Sequence, residues 1–352
     1  MTTVLEEIRL QSRFCADFGS PFTSELLARG ADDIEAGGTT ARVIDGWPGN
    51  PRVDALSLRW AGALHAAVLT GRDEALAAEY PGAHSDWSMD RVWPLVRAFL
   101  HREEAWVRDF MRSPPQTNET ARSTGLACGF LWLAERAPQP FHLRELGASA
   151  GLNLNWDRFA YAYPAWGRAD VAGPFMPTDV RGGPPAWRDI AIASRAACDQ
   201  NPLDPENAED RLRLRAYIWA DQAARLERLN SALDLARMTG LKVEKADAAA
   251  WTRKQLEGDL PVGTTVIYHS VFLQYPPREV REAIVESIAE AGARTTPGRQ
   301  LAWLSFEPES IVGGPHGSAR YVLHAAVWDQ GRRTDVTLAA VDPHGRHLTW
   351  QC

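Results

Sequence analysis

The residues of this chain best suited to chemistry lie in FHLRELGASAGLNLNWD, residues 141–157. Glu145 closes an alternating run, and Gly147, Ala148, Ser149 and Gly151 come directly after it. Two chemistries fit. In the first, a strand ends in an acid and a glycine-rich turn lets the backbone approach a ligand. The N–H groups at the start of the next helix then point at it, as they do around a nucleotide-type cofactor. In the second, Gly147-Ala148-Ser149-Ala150-Gly151 is a G-x-S-x-G nucleophile elbow that presents the Ser149 hydroxyl.

Each reading makes demands elsewhere. The elbow needs strands ahead of it, an oxyanion loop and a late histidine. His316, His324, His344 and His347 are available, but the region before Ser149 reads as helical and contains no HGGG-like run. A cofactor lying across the carboxyl ends of parallel strands needs a polar group from each. IAIASRAAC ends at Asp199, whose carboxylate can take both hydroxyls of a ribose. LKVEKA leads to Asp247 and Ala248, placed to meet an adenine amino group. TVIYHS contains His269, a general-base candidate because an unperturbed imidazole titrates near neutrality. Tyr275 and Glu307 come after the fourth and fifth strands and are expected on the rim. A nicotinamide dehydrogenase fits less well: G-x-G-x-x-G would need glycine at Ser149, and its acid should come far sooner than Asp199.

Several of these residues have structural explanations. Asp199 in CDQNPLDP can make an Asx turn, Asp247 can cap a helix, and His269 can be a hydrogen-bonded core histidine. In PPQTNETAR, Gln116, Asn118 and Arg122 can form one wall of a cleft that clasps a carboxylate or amide. Thr117 or Asn118 can equally cap the next helix, with Glu119 in its first turn.

The elements that must position these groups change character near Pro140. Before it, apolar spacing predicts helices over 3–18, 56–69 and 90–111 and no strand. After it, strand-like runs at 141–146, 190–198, 241–245, 264–269 and 300–306 alternate with helical stripes at 210–238 and 277–291, the second ending at Gly292. A hairpin at 321–341 turns on Asp329-Gln330-Gly331, and the Pro- and Gly-rich stretch 161–187 reads as a loop insertion. Two parts are expected: a helical cap over 1–115 and an α/β domain over 116–352.

Composition bounds the function. The 352 residues are 45% hydrophobic and 24% charged, with a net charge of −7 and no basic run, so no footprint for nucleic acid or an anionic membrane is visible. The apolar run LACGFLWLA is far shorter than a membrane span. Four scattered cysteines and an acidic N-terminus without a signal-peptide core fit a reducing cytoplasm. No metal-ligand spacing is visible. Most of the 14 tryptophans are expected in packing.

ELGASAG, the acids at Asp199 and Asp247, YHSVFLQY and the terminal hairpin resemble class I S-adenosylmethionine-dependent methyltransferases over roughly 120–350. More closely, PPQTNETAR, ELGASAGLNL, CDQNPLDP, RLRLRAYIWADQAARL and VIYHSVFLQY together resemble the bacterial family called domain of unknown function 2332, nearly end to end. The resemblance implies an α/β fold with a Rossmann-like class I methyltransferase sheet, mainly parallel with a C-terminal antiparallel hairpin, behind an all-helical N-terminal region. It also implies S-adenosylmethionine as cofactor and a small-molecule acceptor. Glu145, Gly147, Ser149 and Gly151 would surround the methionine part, Asp199 the ribose, Asp247 with Ala248 the adenine, and His269 would line the transfer site. The sequence departs from the pattern at Ser149, in the polar first strand FHLREL, and in His-Ser-Val-Phe where amino methyltransferases carry Asn/Asp-Pro-Pro. A serine hydrolase and a non-catalytic cofactor-binding protein remain the alternatives.

Overall fold

The computed structural model describes residues 3–82, 86–315 and 317–352. Its internal contacts divide the chain into two units, Met1–Thr117 with Ala208–Glu227, and Asn118–Asn207 with Arg228–Cys352. The expected boundary near 115 ignores the later segment, which sequence periodicity alone cannot assign to a partner.

The first unit is helical: α1 Val4–Asp17, α2 Pro21–Glu35, α3 Thr39–Ile44, α4 Leu56–Leu69, α5 Glu74–Glu79, α6 Met89–Arg102 and α7 Glu104–Met111. A capping box starts α1: Glu6 N–H donates to Thr3 Oγ1 and Thr3 N–H to Glu6 Oε2. The stripe expected to run from 90 to 111 breaks at Glu103, whose carboxylate accepts from Arg72. Trp60, Leu64, Phe22, Val96 and Phe99 build the core. Arg59, nearly buried, donates to the Met111 and Arg112 carbonyls at 2.8 and 2.9 Å and so satisfies the end of α7. The later segment is fastened in the same way: Asp221 accepts from the Ser20 hydroxyl and from Phe22 N–H (2.9 Å), closing the start of α2.

The second unit is mixed α/β with a large, mostly parallel sheet. Its chain runs α8 Ser123–Ala134, β1 Phe141–Leu146, β2 Ala160–Tyr161, β3 Phe175–Met176, β4 Asp179–Arg181 and β5 Ile192–Asp199. Next come α9 Ala208–Ala216 in the helical unit, α10 Ala223–Thr239, which leads back, β6 Glu244–Lys245, α11 Ala248–Gln255, β7 Gly263–Ser270, α12 Arg278–Ala293, β8 Arg299–Pro308, β9 Tyr321–Asp329, β10 Arg332–Val341 and β11 His347–Trp350. Nine strands form one sheet in the order β4-β11-β10-β9-β8-β7-β1-β5-β6. The block from β6 to β8 is parallel, and β9, β10 and β11 continue it antiparallel. From β1 the chain steps outward to β5 and β6, then returns to β7 on the other side of β1. That reversal between β1 and β7 is a topological switch point, the place where ligands bind in open α/β sheets.

Strand alternation divides the core in two. Phe141, Leu143, Val266, Tyr268, Leu304 and Phe306 pack with α8. Leu146, Ile267, Leu301 and Trp303 pack with Trp251 of α11 and Ile284 and Ile288 of α12. Helix α8 comes close: a Cβ added at Gly129 would lie 2.5 Å from a Leu304 methyl. The polar character of β1 is explained by its burial, since His142 and Arg144 lie on its half-exposed side and both reach the Ser194 hydroxyl at 3.0 Å.

The 161–187 stretch is more than a loop. It contributes β3 and also β4, which extends the main sheet by pairing with β11. Its aromatics are packing residues: Trp166 is buried, Trp187 packs against it (5.5 Å between rings), and Arg168 lies 4.2 Å from the Trp187 ring centre. Among the described residues the cysteines are free and no helix is long and apolar enough to cross a membrane.

Candidate functional site

The glycine turn occupies the carboxyl end of β1. Gly147, Ser149 and Gly151 all have left-handed backbones, at φ of 65°, 53° and 69°. A Cβ at Gly147 would meet the Phe272 ring at 2.2 Å, so glycine is required by close approach as well as by φ. The turn is tied to β5: Ala148 N–H donates to the Cys198 carbonyl (3.1 Å), and Ser149 N–H donates to Asp199 Oδ2 (2.8 Å). The other Asp199 oxygen accepts from Asn201 N–H (2.8 Å). Asp199 is therefore both the Asx-type turn residue and the clamp on the glycine turn, and it stays partly accessible.

Beyond Gly151 the chain departs from the expected crossover α-helix. It enters a 3-10 helix, Leu152–Arg158, interrupted at Asn155. The first N–H of that segment, Leu152, donates to Asn118 Oδ1 at 3.0 Å. Its end is held by Arg195, whose two nitrogens bind both oxygens of Asp157 at 2.8 and 2.7 Å. Asn118 thus supports the glycine turn and does not cap α8. Glu119 accepts from Ala121 N–H and pairs with Arg228 at 3.5 Å. Arg122 donates to the Pro343 and Ser270 carbonyls, so it fastens the end of β7. Gln116 belongs to the helical unit.

Glu145 is buried and its Oε2 accepts from the Tyr268 hydroxyl at 3.2 Å. Burial pushes its pKa up to about 8, the Tyr268 bond opposes this, and the Asp199 charge adds to it. At neutral pH it is mainly a neutral acid. Asp247 is exposed and caps α11 by accepting from Ala250 N–H (2.9 Å), with Ala248 as the first helical residue.

The histidine expected as a base sits elsewhere in the chemistry. His269 is fully buried; its Nδ1 lies 2.7 Å from Glu307 Oε1, and its Nε2 accepts from the Trp303 indole N–H at 2.9 Å. That fixes the neutral Nδ1–H tautomer and leaves no open lone pair on the ring. Glu307, expected on the rim, is also fully buried, because it faces the α12 side of β8 together with Trp303. Its Oε1 additionally accepts from Phe272 N–H (2.7 Å) and Leu273 N–H (3.1 Å), while Oε2 has no partner among the described residues. These bonds hold the loop after β7, where Val271 has a φ of 54°. A β-branched residue there is strained by about 1–3 kcal/mol and persists only where its surroundings impose it. Tyr275, at the end of that loop, is 73% exposed.

The structure therefore ties the 147–151 turn to Asp199 by a hydrogen bond, with Glu145 bonded to Tyr268 just ahead of the turn on β1, and brings His269 and Glu307 into a separate hydrogen-bonded pair. Ser149 lies in that turn. Of the late histidines, His324 lies on β9 and pairs with Asp335 at 3.6 Å, His344 and His347 flank the β10–β11 turn, and His316 lies outside the described residues. Sequence reasoning missed Tyr268, Trp303 and Phe272. Strand alternation could have found the first two, since Tyr268 adjoins His269 on the opposite face and Trp303 stands four residues before Glu307. It also missed Asn155, a buried amide whose Oδ1 and Nδ2 both lack partners among the described residues.

The sequence profile of the bacterial family described as an uncharacterized protein conserved in bacteria, domain of unknown function 2332, matches residues 5–350, and the chain belongs to that family. No curated protein matches the chain, and no solved structure does.

Proposed function

We propose that the second unit is a Rossmann-like S-adenosylmethionine-binding domain and that the protein transfers a methyl group to a small or mid-sized acceptor. One observation carries this reading: the 147–151 turn, Asp199 and Asp247 stand at the carboxyl ends of β1, β5 and β6, neighbours in that order beside the chain reversal. The residues suit the cofactor. Each oxygen of Asp199 already accepts one N–H, and a carboxylate oxygen can accept a second bond, so capacity remains for two ribose hydroxyls. Exposed Asp247, beside Ala248, can accept from an adenine amino group while capping α11. Backbone groups of Gly147, Ala148, Ser149 and Gly151 would meet the methionine part, with Glu145 behind them as a neutral acid.

When bound, the cofactor supplies an electrophilic methyl group. The chain's part is positioning and exclusion of water. In this reading His269 and Trp303 orient Glu307, Glu307 holds the 271–275 loop, and that loop presents Tyr275 to the acceptor. Asn118 and Arg122 fasten the turn and the end of β7, and remain the candidates for acceptor contact in this unit.

Calorimetric titration with S-adenosylmethionine and S-adenosylhomocysteine tests the reading. Binding in the micromolar range, on the order of −8 kcal/mol, that is lost in Asp199→Ala supports it. A folded sample that binds neither ligand, and carries none through purification, rules it out. Binding without turnover on any acceptor points to a non-catalytic cofactor-binding protein. A second reading draws on the left-handed backbone of Ser149, which suits a nucleophile elbow. Against it, β1 is the first strand of the sheet in chain order. Covalent labelling of Ser149 by a fluorophosphonate would decide for the hydrolase.

A further inference from the structure

The helical unit contains a cavity of about 40 Å³ with no assigned role, lined by residues of that unit alone. Its walls are mostly apolar, with Phe22, Leu26 and Trp219 among them, and no Asp, Glu, Lys or Arg is among its lining residues. Buried polar side chains also line it, Tyr80 and His65 among them. Tyr80 is 1% exposed and its hydroxyl has no hydrogen-bond partner among the described residues. His65 is 6% exposed, and its ring stacks on that of Tyr80 at 6.4 Å. Its Nδ1 lies 3.2 Å from the Ala216 carbonyl. Burial pushes the imidazole pKa down to about 4, against the pull of the Ala216 and Ile218 carbonyls. The ring is therefore neutral, and with Nδ1–H donating to the Ala216 carbonyl the acceptor lone pair is on Nε2.

A buried hydroxyl without a partner costs about 1–3 kcal/mol and calls for an explanation. A ligand that accepts from the Tyr80 O–H and donates to His65 Nε2 supplies one. A charged ligand would be desolvated with no counter-charge in the wall. The volume holds a few waters or a few non-hydrogen atoms, far less than a nucleotide. We infer that this cavity binds a small uncharged molecule carrying both a hydrogen-bond donor and an acceptor, of the primary-amide or short-alcohol class. This is independent of the cofactor reading of the second unit.

Acetamide is the probe, with acetate as its charged counterpart, and binding is read by ligand-observed NMR titration of the full chain. A four-atom ligand reaches at best a dissociation constant of roughly 0.04 mM. The expected result is saturable binding of acetamide and none of acetate. Tyr80→Phe should weaken acetamide at least about tenfold while melting no lower than the wild type, because it removes only an unpaired hydroxyl. Ala61→Val adds methyl groups to the cavity wall and should also abolish binding. The inference is overturned if the folded wild type shows no saturable acetamide binding, as it would if the cavity took up water alone. Undiminished binding in both variants overturns it equally.

Discussion

At Asp199, one carboxylate holds the glycine turn and the start of the next loop through two backbone N–H groups. The residues around it divide into those that set backbone shape and those that set protonation. Glu145 belongs to the second kind. Its folded pKa, about 8, lies above its ordinary value of 4.5. The folded state thus holds a proton that the unfolded state has released between those pH values. The associated stability is complete below about pH 4.5 and is lost as pH rises through about 8, with a ceiling of about 5 kcal/mol. Glu145→Gln should remove this slope and melt higher than wild type at pH 8, as thermal unfolding between pH 5 and 9 would record. At His269 the expectation concerns pairing. Substitution by Ala leaves the Trp303 indole N–H without its acceptor and Glu307 short of a donor inside the core. A loss of about 3–5 kcal/mol is expected in urea unfolding. A loss below about 1 kcal/mol would mean that the Trp303–His269–Glu307 chain contributes little.

Among the elements, α8 and β8 give the sharpest test. Gly129 has no room for a methyl group, since Leu304 stands 2.5 Å from the position a Cβ would take and is itself buried. Helix propensity favours Ala over Gly by up to about 1 kcal/mol, yet Gly129→Ala should destabilise by about 1–3 kcal/mol through overpacking. A rise in melting temperature would show that α8 can move away from the sheet. Helix α12 gives a related lesson. Gly292 reads as its end, but it lies inside the last turn, which runs to Ala293, and a Cβ there would stand 2.4 Å from the Trp328 ring. The stripe over 210–238 breaks into α9 and α10 because residues 217–222 make other contacts. The Tyr217 ring lies where a Cβ on Gly62 of α4 would reach it (2.6 Å), and Asp221 caps α2.

In the whole molecule, those contacts make the helical unit discontinuous in sequence. A chain ending at residue 117 lacks Tyr217 and Asp221 and should not unfold cooperatively, whereas one that also carries 208–227 through a flexible linker should. Circular dichroism on both would decide, and equal cooperativity would show that the later segment is dispensable. The two units also respond to pH with opposite sign. His65 has its pKa lowered from 6.5 to about 4, so the unfolded state binds the extra proton in that window. Stability of the helical unit then falls as pH drops from about 6.5 to about 4, by about 3 kcal/mol at most. Glu145 penalises the second unit in the other direction. His65→Gln should flatten only the acid limb, and Glu145→Gln only the alkaline one.

How much of this was legible in the sequence depends on the range of the forces involved. The β1 boundaries, the limits of α4, the hairpin of β9 and β10, and the strand-end places of the glycine turn and Asp199 could all be read in advance. Each rests on periodicity or turn chemistry within a few residues. Family membership was legible for the same reason, in motifs spread from end to end. What only the tertiary structure decided involves partners far apart in the chain. His269 is a core histidine because Trp303 and Glu307 of the neighbouring strand take both its nitrogens. Glu307 is buried because of the face of β8 it occupies. The 161–187 stretch gives the sheet an edge strand because β11 is there to pair with it. The 208–227 segment joins the helical unit because α2 and α4 offer it sites. Local spacing sets which backbone forms, but long-range packing and hydrogen bonding set which side chains stay free to react.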